Sequence, residues 1–385
     1  MLELEYKSKN SIYAGDQSTK DILQRGFFGS SSRNRLRLSI IEALYLIDVR
    51  NARCTRNGAE TSFSELAAMF SKHKRFMARY LTYKDWRDRG LVIRDMGHKH
   101  SATNKNPIKL YPSGKFSLAH YSLHGAFFWS DMTTIISEKE KGRELYDKYW
   151  FGQYGSYKAA DRGQLSKLDI YETIFLMEKG VLAEKNATKP EIIRAATARR
   201  RDFPRLYEVY RDWREKGYVI KTGFKFGTHF RVYFPGARPS TANGAGWTHS
   251  RHVIHVFPKD SRLLISEWAR AIRVAHSVRK TFILAVPGSA REKKMSQDFI
   301  LYHRKGGEAE SPGTSSPRYV MLSLGEEEYI GGREFAGAIA EAKRMKLEPI
   351  LAIADRETAV TYYKVRQIRL PGSDSDYYEI DWMQP

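Results

Sequence analysis

Two internal repeats constrain how this chain can fold. The stretch YKDWRDRGLVIRD (83–95) recurs as YRDWREKGYVIKT (210–222), with seven of thirteen positions identical and four more exchanging like charge for like charge. Ser39 and Asp169 stand at matching positions upstream, and both are good helix N-caps followed by apolar residues at helical spacing. Each copy therefore predicts a small domain made of a helix, a loop, a long helix that ends at a glycine, and a strand.

The second repeat lies further along the chain. Residues 249–286 align without gaps to residues 316–353, so that Val253 faces Val320. Each copy has an alternating run, a segment with helical spacing and a short apolar run, which predicts a strand, a helix and a second strand. A strand–helix–strand unit of this length connects two parallel strands.

Together the repeats predict a mixed α/β protein with several domains, because 385 residues exceed one ordinary core. We expect two small helix–strand domains and two copies of the strand–helix–strand module. The expected boundaries are a first unit at 1–145, the small domain of a second unit at 146–222, its module at 223–305, a Gly/Ser/Pro-rich linker at 306–317 and another module at 318–385.

The two modules differ at polar positions while their apolar positions agree. His249 is replaced by Ser316, Arg273 by Ala340 and Lys280 by Leu347. A copy that keeps its packing residues and loses its reactive side chains is predicted to be non-catalytic. A cation such as Lys280 also complements the dipole at the end of a helix, but the second copy keeps the helix without the cation.

Three reactive side chains are predicted to meet at one edge of the sheet. His249 and Lys280 each stand just before one of two parallel strands. A strand ending at Tyr233 is followed by a turn-rich loop that returns into the strand near 250. Neighbouring strands lie about 5 Å apart, so Tyr233 is expected beside the other two, although open α/β sheets usually bind ligands at the opposite edge.

The charge of the chain indicates a polyanionic partner. Its 65 Lys and Arg against 44 Asp and Glu leave a net charge of +21, and phosphate contacts supply most non-specific affinity for nucleic acids. The alternative is a basic protein that merely stays soluble. No apolar run approaches 18 residues and the N-terminus has no signal core, so no membrane partner is expected. The single Cys54 excludes a disulfide framework and suits the cytoplasm.

Tyrosine, histidine and lysine suffice for one kind of RNA chemistry. RNA carries its own nucleophile, the 2′-hydroxyl, and cleavage without a metal needs a base, an acid and a cation facing the phosphate. Histidine titrates near neutrality and can act as the acid. Tyrosine is a weak base unless neighbouring cations lower its pKa, and Lys280 is a candidate for that effect.

Three segments together resemble the archaeal tRNA-splicing endonucleases: KTGFKFGTHFRVY (221–233), HSRHVIHVFP (249–258) and RVAHSVRK (273–280). The order of repeats resembles their three-unit single-chain form, with a degenerate first unit and a degenerate last nuclease-like module. The resemblance implies metal-independent cleavage of precursor tRNA at bulge-helix-bulge splice sites, with no cofactor. It also implies that Tyr233 is the general base, His249 the general acid and Lys280 the transition-state stabiliser.

Further residues follow from the same resemblance. Arg273 would clamp a flipped bulge base by stacking together with a second arginine, for which Arg304 is a candidate. The acidic loop of the family matches ADRE (354–357), where Asp355 and Glu357 would dock a non-catalytic module onto a second copy. The resemblance therefore implies a homodimer with two active sites, matching the two cleavage sites of the substrate.

The second small domain carries an insertion. The matched segments Phe28–Glu42 and Phe151–Glu172 span 14 and 21 positions, so the second has seven more. The extra residues fall in GQYGSYKAADRGQ (152–164), with Lys158 near the tip. Loops lengthen at little cost, so surface decoration is one interpretation. Tyrosine and lysine in a glycine-rich loop also stack on bases and contact phosphates, and we predict that Lys158 contacts RNA.

Other functions remain open at this stage. Histidines cluster in HKH (98–100) and at His249, His252 and His255, but no HExxH or cysteine cluster accompanies them, so no metal is expected. A metal-dependent, structure-specific DNA nuclease would need carboxylates clustered beside Lys280, and the nearby strands carry none. A non-catalytic RNA-binding protein would not need the three reactive residues.

Overall fold

The computed structural model describes residues 1–8, 11–32, 34–97, 107–114, 116–118, 121–240 and 246–385. The histidine segment HKH (98–100) lies outside them. In chain order the helices are α1 (Gln17–Arg25), α2 (Ile40–Arg50), α3 (Phe63–Ala68), α4 (Phe76–Asp88), α5 (Lys139–Tyr149), α6 (Ile170–Glu178), α7 (Lys189–Arg199), α8 (Phe203–Glu215), α9 (Ile265–Ser277) and α10 (Gly332–Arg344).

The strands complete the list of elements. They are β1 (Glu3–Ser8), β2 (Ser11–Ala14), β3 (Ser30–Ser32), β4 (Arg35–Leu38), β5 (Arg53–Arg56), β6 (Ala59–Glu60), β7 (Ile93–Asp95), β8 (Lys109–Leu110), β9 (Leu123–Phe128), β10 (Thr133–Ile136), β11 (Gln153–Tyr154), β12 (Ser166–Asp169), β13 (Leu182–Glu184), β14 (Val219–Thr222), β15 (Phe230–Tyr233), β16 (His252–Val256), β17 (Arg262–Leu264), β18 (Thr281–Val286), β19 (Phe299–Leu301), β20 (Arg304–Lys305), β21 (Glu308–Ala309), β22 (Tyr319–Gly325), β23 (Tyr329–Gly331), β24 (Glu348–Ala354), β25 (Val360–Arg369) and β26 (Asp376–Met383).

Helices α2 and α6, one in each small domain, begin with the same kind of N-cap. Ser39 caps α2 and Asp169 caps α6, each side chain accepting the backbone N–H three residues on. In both cases the carboxylate of the residue at that third position, Glu42 or Glu172, accepts the backbone N–H of the cap residue, which forms a capping box. The N-caps predicted from the repeat are therefore confirmed, and each helix packs on the sheet of its own domain.

A large mixed sheet joins the rest of the chain. Its strand order is β14-β15-β16-β18-β26-β25-β24-β22-β19-β7, with β8 paired to β25. The predicted strand–helix–strand modules are confirmed: β16 runs parallel to β18 with α9 between them in sequence, and β22 runs parallel to β24 with α10 between them. The β25–β26 hairpin separates the two halves, and β26 completes the sheet on the side of β18.

Both long helices of the first repeat are anchored to that hairpin. The hydroxyl of Tyr362 in β25 donates to Asp85 in α4 (2.7 Å), and the hydroxyl of Tyr377 in β26 donates to Asp212 in α8 (2.6 Å). The two aspartates occupy matching positions of the repeat, and the tryptophan that follows each is fully buried. The chain is thus built from two similar halves about the hairpin.

Strand pairing places residues differently from the expected domain boundaries. β9 and β10, which precede the boundary expected at 145/146, pair with each other in the sheet of the second small domain, where β10 also pairs with β12 and β9 with β13. β19, expected in the first module, pairs with β22 of the second module and with β7 of the first small domain. The first unit and the last module therefore form one half, because each completes the other's hydrogen bonding.

No helix in the described residues is long and apolar enough to cross a bilayer.

Candidate active site

One cavity brings together the three predicted reactive side chains. It has a volume of about 150 Å³ and is lined by Tyr233, His249 and Lys280, among others. The pairing of the strands explains this, because His252 of β16 lies between Val232 of β15 and the first residue of β18. The cavity lies at the N-terminal edge of the two parallel strands, as the sequence predicted.

Lys280 is held in place by a neighbour that the sequence did not single out. Its ammonium donates to the carbonyl oxygen of Ser250 and to the Ser250 hydroxyl (3.1 Å). The same ammonium lies 4.7 Å from the centre of the Phe226 ring, a cation–π distance. Burial lowers the pKa of Lys280, and the charge of Arg231 lowers it further. Phe226 therefore also lines the site.

Tyr233 is buried and its hydroxyl faces the same serine. Its ring packs against Trp150, with the ring centres 4.4 Å apart. Burial raises the pKa of Tyr233, while the charge of Arg231 and a hydrogen bond with Ser250 oppose that rise without cancelling it. The pKa of Tyr233 is therefore raised overall, because desolvation of the phenolate outweighs the nearby positive charge. Ser250 thus links the proposed base to the proposed cation.

The insertion of the second small domain reaches the cavity. Lys158 lies in a tight turn, at φ +58°, and lines the cavity together with Tyr157. Burial raises the pKa of Tyr157, but a hydrogen bond from Arg231 and the charges of Lys225 and Lys158 bring it below its usual value. The Lys225 ammonium lies 4.9 Å from the centre of the Tyr157 ring. The insertion is therefore part of the wall of the site.

The two arginines considered as base clamps do not line this cavity. Arg273 is exposed on α9. Burial raises the pKa of Tyr363, and the charge of Arg273 partly opposes that rise. Arg304 lies in β20, which pairs with β21 in a separate two-stranded sheet, and it donates to the carbonyl of Arg89 at the end of α4 (2.7 Å). The structure of one chain therefore does not bring Arg273 and Arg304 together.

The acidic loop is a compact turn in the half of the molecule that contains the second module. The carboxylate of Asp355 accepts the backbone N–H groups of Glu357 (2.9 Å) and Ala359 (2.8 Å), which fixes the turn after β24. Arg356 forms ion pairs with two acidic residues that follow β22, Glu326 and Glu327. The side chain of Glu357 is exposed.

The histidines of β16 lie in separate environments. His252 packs against Tyr111 and Phe234, whereas His255 packs against His229. Burial lowers the pKa of His252 and of His255 to about 4 each. Among the residues that the structure describes, no three His, Cys, Asp or Glu side chains converge to hold a metal ion.

The matching position of the other module has no such site. Leu347, which replaces Lys280, is fully buried in a small apolar cluster with Ile300, Val320 and Ala342. The second module therefore uses this position for packing, whereas Lys280 of the first module lines the cavity.

Comparison with known proteins agrees with this division. The profile of the tRNA intron endonuclease catalytic C-terminal domain matches residues 203–295, which contain Tyr233, His249 and Lys280. The profile of the tRNA intron endonuclease N-terminal domain matches residues 5–67. These two matches fall on the catalytic module and on the first small domain.

Several relatives share the name tRNA-splicing endonuclease. The protein from Methanosarcina acetivorans is 25% identical over 333 residues, covering 71% of this chain and 93% of the relative. The protein from Methanopyrus kandleri is 34% identical over 170 residues, covering 43% of this chain and 89% of the relative. A relative from Hyperthermus butylicus is 32% identical, covering 41% and 87%.

The fold, the site and these matches define the chain as an endoribonuclease. More specifically, the chain belongs to the tRNA-splicing endonuclease family.

Proposed function

We propose that this protein removes introns from precursor tRNA by cutting both strands of a bulge-helix-bulge splice site, without a metal. The observation that carries the proposal is the single cavity lined by Tyr233, His249 and Lys280. The net charge of +21 supports a polyanionic substrate, and the names of the relatives support precursor tRNA. A location in the cytoplasm, which the single cysteine predicts, belongs to the same proposal.

The proposed reaction moves one proton at each end of the scissile bond. Tyr233 accepts the proton of the 2′-hydroxyl, and the O2′ atom attacks the phosphorus. The bond between phosphorus and O5′ breaks while His249 donates a proton to O5′. Lys280 stabilises the negative charge that builds on the phosphoryl oxygens. The products are a 2′,3′-cyclic phosphate and a 5′-hydroxyl.

One experiment separates this function from the two alternatives. An intron-containing precursor tRNA should be cut in the presence of excess EDTA, and the ends should carry a cyclic phosphate and a 5′-hydroxyl. A metal-dependent DNA nuclease would lose activity in EDTA. A protein that only binds RNA would bind the transcript and leave it uncut.

We also propose that two chains form a dimer through the acidic loop. Substituting both Asp355→Ala and Glu357→Ala should shift the dimer towards monomer in light scattering, because the partner's cations lose their counter-charges. The pair Asp355→Asn and Glu357→Gln removes both charges, but the side chain at position 355 keeps an oxygen that can accept the hydrogen bonds of the turn. This double variant should therefore also shift the dimer towards monomer.

Exposed acidic residues elsewhere on the surface provide the control for the dimer. Asp374→Ala combined with Glu308→Ala removes as much charge elsewhere and should leave the dimer intact. A dimer that persists in the Asp355 and Glu357 variants, with cleavage unchanged, would remove this role from the loop. Arg273 remains our proposed base clamp, with Arg304 as the proposed second arginine, across such an assembly.

Lys158 is expected to affect the range of substrates rather than the chemistry. Lys158→Ala should leave cleavage of a symmetric bulge-helix-bulge almost unchanged and should slow cleavage of bulges of irregular size, because one phosphate contact at the cavity wall is lost. Single-turnover rates over a panel of bulge geometries measure this.

Two further variants sharpen the Lys158 test. Lys158→Gln removes the charge with less change of side-chain length, and Lys139→Ala removes an exposed lysine from α5. The first should behave as Lys158→Ala and the second as wild type. Equal rates for wild type and Lys158→Ala over the whole panel would show that the insertion is surface decoration.

A further inference from the structure

Phe224 is an apolar ring exposed beside the catalytic cavity. Its side chain is 86% exposed. It begins a 3₁₀ turn (Phe224–Phe226), and the two residues that follow it both line the cavity. Lys225 contacts the ring of Tyr157, and Phe226 lies under the ammonium of Lys280.

The turn that carries Phe224 is held at both ends. The backbone N–H groups of Phe226 (2.8 Å) and Thr228 (3.4 Å) donate to the carbonyl of Gly223. A side chain at Gly223 would lie 2.5 Å from the Thr228 hydroxyl oxygen, and Gly227 has φ +64°, a conformation that favours glycine. Because the backbone is fixed in this way, the exposure of Phe224 follows from the fold of the turn.

Exposure of this ring has a free-energy cost, and the described residues leave most of its surface uncovered. A phenylalanine ring left in water forgoes the free energy that its burial would contribute. In the first copy of the repeat, the position that matches Phe224 is Gly97. The non-catalytic half therefore lacks the ring, as it also lacks the cation of Lys280.

The surroundings of the ring suit RNA. Lys225, Arg231 and Lys280 line the adjoining cavity, where a phosphate would lie in the proposed reaction. An aromatic side chain next to a cationic groove is the arrangement by which proteins hold unpaired bases, since every base has a face that can stack. The distance from a scissile phosphate to its adjacent bases is only a few ångströms, so a base next to the bond is within reach.

We propose that Phe224 stacks on an unpaired nucleobase adjoining the scissile phosphate and thereby positions that phosphate at Lys280. The inference rests on the proposed function, because it assumes that RNA is cut in this cavity. Phe224 is a positioning residue and takes no part in proton transfer.

Paired changes in protein and RNA test the proposal. Precursor tRNA is prepared with one abasic site at each bulge position in turn, and wild type and Phe224→Ala are compared by kcat/KM. With intact RNA, Phe224→Ala should lose roughly 5- to 150-fold, the equivalent of one stacked base. At one bulge position the abasic RNA should lower wild-type cleavage by the same factor and should not lower cleavage by Phe224→Ala further.

Three controls identify the interaction. Phe224→Trp should keep near-native kcat/KM, because it retains an aromatic face, whereas Phe224→Leu should resemble the alanine variant. Tyr329→Ala removes another exposed ring, 52% exposed and on the other half of the molecule, and should have no effect on the abasic panel. Intact RNA that wild type fails to cut would count against the proposed function itself.

Other results overturn the stacking proposal alone. If wild type cuts the RNA but the losses from Phe224→Ala and from every abasic site simply multiply, no base stacks on this ring. If Phe224→Ala lowers the dimer fraction in light scattering and leaves the abasic panel unchanged, the ring contacts a second protein chain instead.

Discussion

Replacing Lys280 by alanine is expected to reduce the rate of precursor tRNA cleavage by about 10²–10³-fold while RNA binding persists. The loss follows from removing the cation of Lys280, which lines the cavity where the phosphate is proposed to lie, since a preorganised charge facing the transition state contributes on this scale. Binding persists because many distributed phosphate contacts supply it. His249→Ala should show the same pattern, because it removes the proposed proton donor. Single-turnover cleavage and filter binding measure the two quantities.

Two variants distinguish chemistry from folding. Lys280→Met keeps an apolar stem against Phe226 and removes the charge, so it should be as inactive as Lys280→Ala. Lys346→Ala changes the residue before Leu347 in the non-catalytic module and should cleave normally.

Tyr233→Phe should cleave more slowly than wild type but at a measurable rate, because burial raises the pKa of Tyr233 and water can replace a weak base. Near-native cleavage by the Lys280 or His249 variants would refute their assignment.

Replacing Lys221 by methionine is expected to lower the free energy of unfolding by about 3–5 kcal/mol. The ammonium of Lys221 lies 2.6 Å from the carboxylate of Glu172, and both side chains are buried. The same carboxylate accepts the N–H of Gly152 (2.8 Å), and the ammonium donates to the Gly152 carbonyl (2.8 Å). Removing the cation leaves an unpaired buried carboxylate, which accounts for a loss of this size.

An exposed ion pair in the same domain provides the comparison. Lys179 and Glu215 lie 2.8 Å apart with both side chains more than a third exposed, so Lys179→Met should cost less than about 1 kcal/mol. Adding Glu172→Gln to Lys221→Met should recover part of the loss, because the uncompensated charge is removed. Urea unfolding followed by tryptophan fluorescence reports the three values. A Lys221→Met variant as stable as Lys179→Met would show that the buried pair is not important for stability.

The buried pair has a counterpart that shows what the repeats preserve. In the first small domain the carboxylate of Glu42 accepts the N–H of Gly29 (2.8 Å), and Arg94, at the position of Lys221, donates to the Gly29 carbonyl (2.7 Å). A glutamate, a glycine and a cation therefore connect each small domain to the end of the large sheet. This shared geometry explains why both copies keep the same residue types.

Local patterns in the sequence were sufficient for the elements and for the edge where the site lies. Ser39 and Asp169 marked helix starts because a capping side chain acts on N–H groups only three residues away. His249 and Lys280 were placed together because parallel strands in a crossover unit begin at the same edge. The difference between Lys280 and Leu347 also separated the reactive module from the packing module, since both copies are visible in one chain.

Tertiary structure alone decided which halves pair and how the site is tuned. The first unit joins the last module through β7 and β19, and β26 completes the sheet of the catalytic module. Such pairings depend on which sheet edges remain open after distant segments have folded, and local hydrophobic periodicity does not predict which edges these are. Ser250 and the raised pKa of Tyr233 likewise depend on burial and on neighbours from other strands, because desolvation is a property of the assembled core.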